Sequence, residues 1–136
     1  MPPDANDDRI PQSAGLLRRI HPEQVIGRST GRPRPSSAAF KDPNLSVDVE
    51  PLLQAAGLDW RRSLRDHPGY SLVRFSKQSA IDQGLDVVLQ SISGNPAHAV
   101  VVGKKTPGKA NALRDASEWI FVDPGDGNLK GSQPGC

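Results

Sequence analysis

Residues 98–103, His98-Ala99-Val100-Val101-Val102-Gly103, decide the fold class. An unbroken valine run between turn residues is the pattern of a strand covered on both faces, because a half-solvated strand alternates apolar with polar side chains. This strand is therefore expected at the centre of a sheet. Before it, Asn95-Pro96 marks a turn, and Leu85 to Ile92, with Val87-Val88, reads as a preceding strand. After it, Pro107 to Glu118 sets Ala110, Leu113, Ala116 and Ser117 at helical intervals. Trp119-Ile120-Phe121-Val122 is then a last strand, ended by Asp123-Pro124-Gly125.

Further upstream, Tyr70 to Phe75 is rich in aromatic and β-branched residues and reads as a strand, with Ser76 placed to cap a helix through Asp82. Asp59 caps a helix to Arg65, in which Trp60 and Leu64 form an i, i+4 apolar pair, and Pro51 opens another that Gly57 closes. Leu45 to Val49 alternates with period two. Leu16 to Ile20 is a strand halted by His21-Pro22, Val25-Ile26 a second short extended piece, and residues 27–37 a loop with two glycines, two prolines and three arginines. About five strands and four short helices in irregular order predict an α+β domain, a small mixed sheet with short helices packed against it.

The apolar material that builds this domain is concentrated in the middle of the 136 residues, of which 35% are hydrophobic and 4% aromatic. The first fifteen residues hold only Met1, Ala5, Ile10 and Ala14, and residues 124–136 only Leu129 and Cys136, so a disordered leader (1–15) and tail (124–136) are expected around a domain over 16–123. The net charge of +2 does not by itself imply a nucleic-acid or membrane partner. One terminal cysteine allows neither an internal disulfide nor a thiolate zinc cluster, which fits a cytoplasmic location. No stretch has the length and apolarity of a membrane span or the form of a secretion signal. Walker, dinucleotide-glycine, nucleophile-elbow and HExxH patterns are missing, and His21, His67 and His98 have no metal-ligand spacing; neither cofactor nor metal is expected.

Four stretches combine polar groups with a constrained backbone: residues 18–22, 34–40, 67–70 and 95–99. Two of them, Arg34-Pro35-Ser36-Ser37-Ala38-Ala39-Phe40 and Asn95-Pro96-Ala97-His98-Ala99-Val100-Val101-Val102-Gly103-Lys104-Lys105, resemble the marker segments of a family of small, functionally uncharacterised bacterial proteins. The resemblance covers residues 16–122 and brings no established activity or residue roles.

Chemistry is therefore read from the residues. Arg32 and Arg34 flank Pro33, with Ser36 and Ser37 just beyond, a composition that suits an anion: guanidinium forks grip phosphate or carboxylate and hydroxyls complete the site. Arg18 and Arg19 can add charge from the first strand, although alternation sends only one of them to the side of Leu17. His98, entering a buried strand, is favoured in the neutral form and is the candidate catalytic base, with a backbone-bonded core histidine as the structural alternative. His67 is a candidate ligand group or a helix-end cap, and His21 a turn residue. Arg61, Arg62 and Arg65, and Lys104, Lys105 and Lys109, are phosphate contacts or a solvated surface.

Three functions follow. The first is a binding or accessory module whose Arg/Pro/Ser loop recognises a small anionic ligand or a partner protein. The second is a small transferase or hydrolase acting on a nucleotide or phosphate ester, with His98 as base. It bears a distant likeness to ADP-ribosyltransferase-type domains in the first-strand arginine and later serines, but Glu118 is not placed as the acid such domains supply. The third is nucleic-acid binding through the basic clusters.

Overall fold

The first strand buries Leu16 and Ile20 on one side and Leu17 on the other, so it needs cover on both faces. The computed structural model, which describes residues 10–90 and 92–123, supplies it. Eight strands form: β1 (Gly15–Ile20), β2 (Val25–Ile26), β3 (Arg34–Pro35), β4 (Asn44–Val49), β5 (Ser71–Ser76), β6 (Asp86–Leu89), β7 (His98–Val102) and β8 (Glu118–Phe121). Six make one sheet in the order β6-β7-β4-β1-β5-β8, and β2 pairs with β3 as a separate hairpin. The α+β class stands.

Two details differ from expectation. The sheet is antiparallel at every pairing instead of mixed, and the valine strand β7 lies next to the edge strand β6 rather than at the centre. A valine run is expected to be covered on both faces, but here Ala99 and Val101 on one face are fully buried, whereas on the other Val100 is 9% exposed and His98 and Val102 are only partly buried.

Three short helices, α1 (Glu50–Ala55), α2 (Lys77–Asp82) and α3 (Pro107–Ala116), start where the sequence supplies a proline or a cap. Ser76 Oγ accepts from Ser79 N at 3.1 Å to open α2, and Thr106 Oγ1 accepts from Lys109 N at 3.2 Å to open α3. The predicted helix at 59–65 is a 3-10 turn, Trp60–Leu64, capped by Asp59 Oδ1 on Arg61 N at 2.9 Å. A four-residue apolar spacing does not separate α from 3-10 in so short a piece.

The helices divide between the faces. Leu16, Ile20, Val47, Val73, Phe75, Val87 and Val101 meet Ala80 of α2 and Ala110 and Leu113 of α3, together with Ala39 and Phe40 of the 3-10 turn Ser37–Phe40. Each such fully buried branched or aromatic side chain stabilises by about 1.5–3 kcal/mol. On the opposite face Leu17, Leu72 and Ala97 meet Leu53 of α1, with Trp60, Leu64, Ile120 and Phe121 partly buried around them.

Of the expected leader only residues 10–15 are described. Ile10 is 1% exposed, Ala14 is buried, and the Ile10 carbonyl accepts from Lys77 Nζ at 2.7 Å. The expected tail, 124–136, lies outside the described residues. Among the described residues no helix is long and apolar enough to cross a membrane.

Candidate functional site

Cross-strand partners share a face, so the register sorts the predicted site residues. Leu17 lies opposite Asp48 and Arg74, and Asp48 lies opposite His98. Arg19, Asp48, Arg74 and His98 thus stand on the α1 face, and Arg18 on the other.

Arg18 is mostly covered by the fold. Its Nε donates to Ala39 O at 3.1 Å and its Nη1 to Ser46 O at 3.1 Å, while burial, followed by the charge of Arg19, lowers its pKa to about 10. Arg19 Nη1 donates to Ser63 O at 3.3 Å. Both first-strand arginines therefore hold backbone carbonyls. Ser63 Oγ in turn bonds the buried Asp48 carboxylate, whose Oδ1 accepts from Asn95 Nδ2 at 2.8 Å, and Asn95 Oδ1 accepts from Ala97 N at 3.1 Å. This polar network ties β4 to the Trp60–Leu64 turn and to the turn before β7.

His98 is half-exposed, and its Nδ1 lies 2.9 Å from Gln90 O, the main chain at the end of β6. A carbonyl only accepts, so Nδ1 carries a proton there. Ser36 and Ser37 belong to the other face. Ser36 Oγ accepts from Ala38 N at 3.2 Å and opens the 3-10 turn that packs on α3, so these serines are not on a strand. Arg18, the two serines and His98 are consequently not gathered in one cleft. Burial, then the charge of Arg19, lowers the His67 pKa. Lys105, read as a surface cation, is buried, and its Nζ donates to Val101 O, Gly103 O and Pro43 O at 2.6, 2.9 and 3.2 Å. Burial lowers its pKa to about 8.

The arginine loop is an ordered hairpin. Val25 pairs with Pro35 and Ile26 with Arg34, and Gly27 turns the chain at a φ of 81°. A Cβ on Gly27 would lie 2.3 Å from Arg32 O, so the close return of the hairpin requires glycine. The Trp119 indole Nε1 donates to Pro33 O at 3.0 Å and fastens the hairpin to β8.

The fastened segment, residues 27–37, holds Arg28, Arg32 and Arg34 and no carboxylate. Among the described residues none of these side chains has an ion-pair partner, and Arg28 Nη2 is buried with no hydrogen-bond acceptor. Most arginines elsewhere contrast with them. Arg61 pairs with Asp59, Arg114 with Asp115, and Arg74 is clamped between Glu50 and Glu118 at 3.0 and 2.9 Å, bonds that raise its pKa. Arg62 Nη2 donates to Gly94 O at 2.8 Å. Arg34 also lines a hollow of about 230 Å³ together with Arg114, Asp115, Ser117, Glu118 and Trp119.

A second cluster lies on the α1 face. The Trp60 and Phe121 rings stack with centroids 5.7 Å apart, Tyr70 takes the edges of His21 and His67 at 5.2 and 5.1 Å, and Arg61 lies over Trp60 at 4.7 Å. The sequence shows half of this grouping, three arginines between Trp60 and Tyr70. The partner Phe121 comes from the other end of the domain.

Among the described residues no group of three His, Cys, Asp or Glu side chains could hold a metal ion. No protein-family model, curated protein or solved structure matches the chain.

Proposed function

We propose that this protein is a small binding module that recognises an anionic group, on a small ligand or on a partner protein, through the arginine hairpin of residues 25–35. The observation that supports the reading is where the unpaired guanidinium groups fall. Arg28, Arg32 and Arg34 sit together in a segment with no acid, whereas most arginines elsewhere hold carboxylates or carbonyls. A buried guanidinium nitrogen lacking an acceptor costs desolvation that a bound phosphate or carboxylate would offset. The hairpin is also held in place beforehand, by its own ladder and by Trp119, which reduces the ordering entropy of binding.

Calorimetric titration of pyrophosphate and of a glutamate-rich peptide into the protein tests the reading. Each charge-assisted contact contributes about 1.5–3 kcal/mol, so the double variant Arg32→Gln/Arg34→Gln should bind at least about tenfold more weakly, with an unchanged melting temperature. Equal affinity of the variant, or no binding of either probe by the native chain, refutes it.

A further inference from the structure

Beside the aromatic cluster the α1 face carries two adjoining hollows. One, of about 300 Å³, has an apolar wall of Trp60, Leu64, Tyr70 and Phe121. The other, of about 370 Å³, is lined by Leu58, Asp59 and Arg62. Arg61 and Arg65 line both, so the two form one groove with an aromatic half and a cationic half meeting at these two arginines.

Charge and shape narrow what such a groove can hold. In the cationic half three guanidinium groups face the single carboxylate of Asp59, which is already paired with Arg61 at 2.8 Å, and Arg65 has no ion-pair partner among the described residues. In the aromatic half the acid is Asp123, which shares the lining with Arg61 and Arg65. His67 adds no charge near neutrality, since burial and Arg19 hold its pKa down. A cationic ligand is disfavoured by the arginines, and a purely apolar one would leave their half unused. With Trp60 already stacked on Phe121 and covered by Arg61, a planar base would lie along the apolar wall of Trp60, Leu64, Tyr70 and Phe121, and arginine forks accept phosphate.

We infer that this groove is a binding site for a nucleoside phosphate, its base against the Trp60–Phe121–Tyr70 wall and its phosphate on Arg65 with Arg61 and Arg62. The site depends on a β-bulge. The register slips between Leu72–Phe121 and Val73–Trp119, leaving Ile120 as the extra residue of β8, and the slip returns Phe121 to the face where Trp60 waits. The inference is independent of the hairpin, which is built from β2 and β3.

Adenosine 5′-monophosphate, adenosine, inorganic phosphate and a single-stranded adenylate tetramer, each titrated while the two indole N–H resonances are followed by NMR, test it. The Trp60 signal should shift saturably with the monophosphate, which should bind at least about tenfold more tightly than adenosine or phosphate alone. Arg65→Glu should lower monophosphate affinity by about tenfold or more and spare adenosine, and Phe121→Leu should weaken both. Since Phe121 also packs against the core, Arg65→Glu, on an exposed side chain, is the variant that decides. A tetramer that binds more tightly than the monophosphate, and equally needs Arg65, makes the source a single strand; the reverse order makes it a free nucleotide. Neither probe moving the Trp60 signal, or Arg65→Glu leaving both affinities intact, overturns the site. Movement of the Trp119 signal alone, whose N–H donates to Pro33 O, would assign the phosphate to the hairpin and overturn this site.

Discussion

His67 shows how one side chain records its surroundings. Burial first, and the Arg19 charge second, hold its imidazole below the ordinary 6.5, against the smaller opposing effects of Asp66 and Asp48. The unfolded chain then takes up this proton at a higher pH than the folded one, so stability is full above about pH 6.5 and falls as pH drops below it. Thermal melts between about pH 7.5 and 5.5 should show a downward slope toward acid that flattens in His67→Gln. Equal slopes would remove this account. The sequence offers His67, Arg32 and Arg34 as candidate ligand groups, in stretches that combine polar side chains with a proline- or glycine-constrained backbone. It could not rank the arginines. Arg18 and Arg19 look no different in the sequence, yet their guanidinium groups hold Ala39, Ser46 and Ser63 carbonyls contributed by segments 21 or more residues away.

The hairpin β2–β3 is an element of which the sequence shows only the Val25-Ile26 half. Two-residue strands give no alternation to detect, and Pro35, which donates nothing to a ladder, argues locally against a strand. What holds it is the turn at Gly27 and a bond from Trp119, 86 residues from Pro33. Trp119→Phe keeps an aromatic ring against the core but removes that bond together with the pyrrole part of the indole. The expected loss is about 1 kcal/mol of global stability. Amide exchange at Gly31 and Arg32, whose N–H groups close the turn on Arg28 O and Gly27 O, should accelerate while β1 and β4 amides stay protected. Unchanged exchange at the turn would show that the ladder alone suffices. β5, α2 and α3 were readable for the opposite reason: β5 carries its β-branched and aromatic run, and α2 and α3 their caps and apolar positions, within a dozen consecutive residues.

Across the whole molecule, the α+β class followed from the count and order of strands and helices, but the strand order did not, since it depends on which segments meet over long separations. The Asp48 network is one of those meetings. It joins β4, the Trp60–Leu64 turn and the turn before β7. Asp48→Ala would leave Ser63 and Asn95 polar atoms buried and unmatched, for a loss of about 2–4 kcal/mol in denaturant unfolding, and a loss below about 1 kcal/mol would show that the three segments cohere without it. The sheet order also bears on synthesis. The strand that leaves the ribosome earliest among the six is the keystone, flanked on one side by β4 and on the other by β5. Until the chain has grown past residue 76, Leu16, Leu17 and Ile20 lack one wall of their final enclosure. The nascent polypeptide must therefore carry a sticky ribbon from residue 20 until residue 76 has been added, and its yield in the cell should depend on how well that ribbon is shielded.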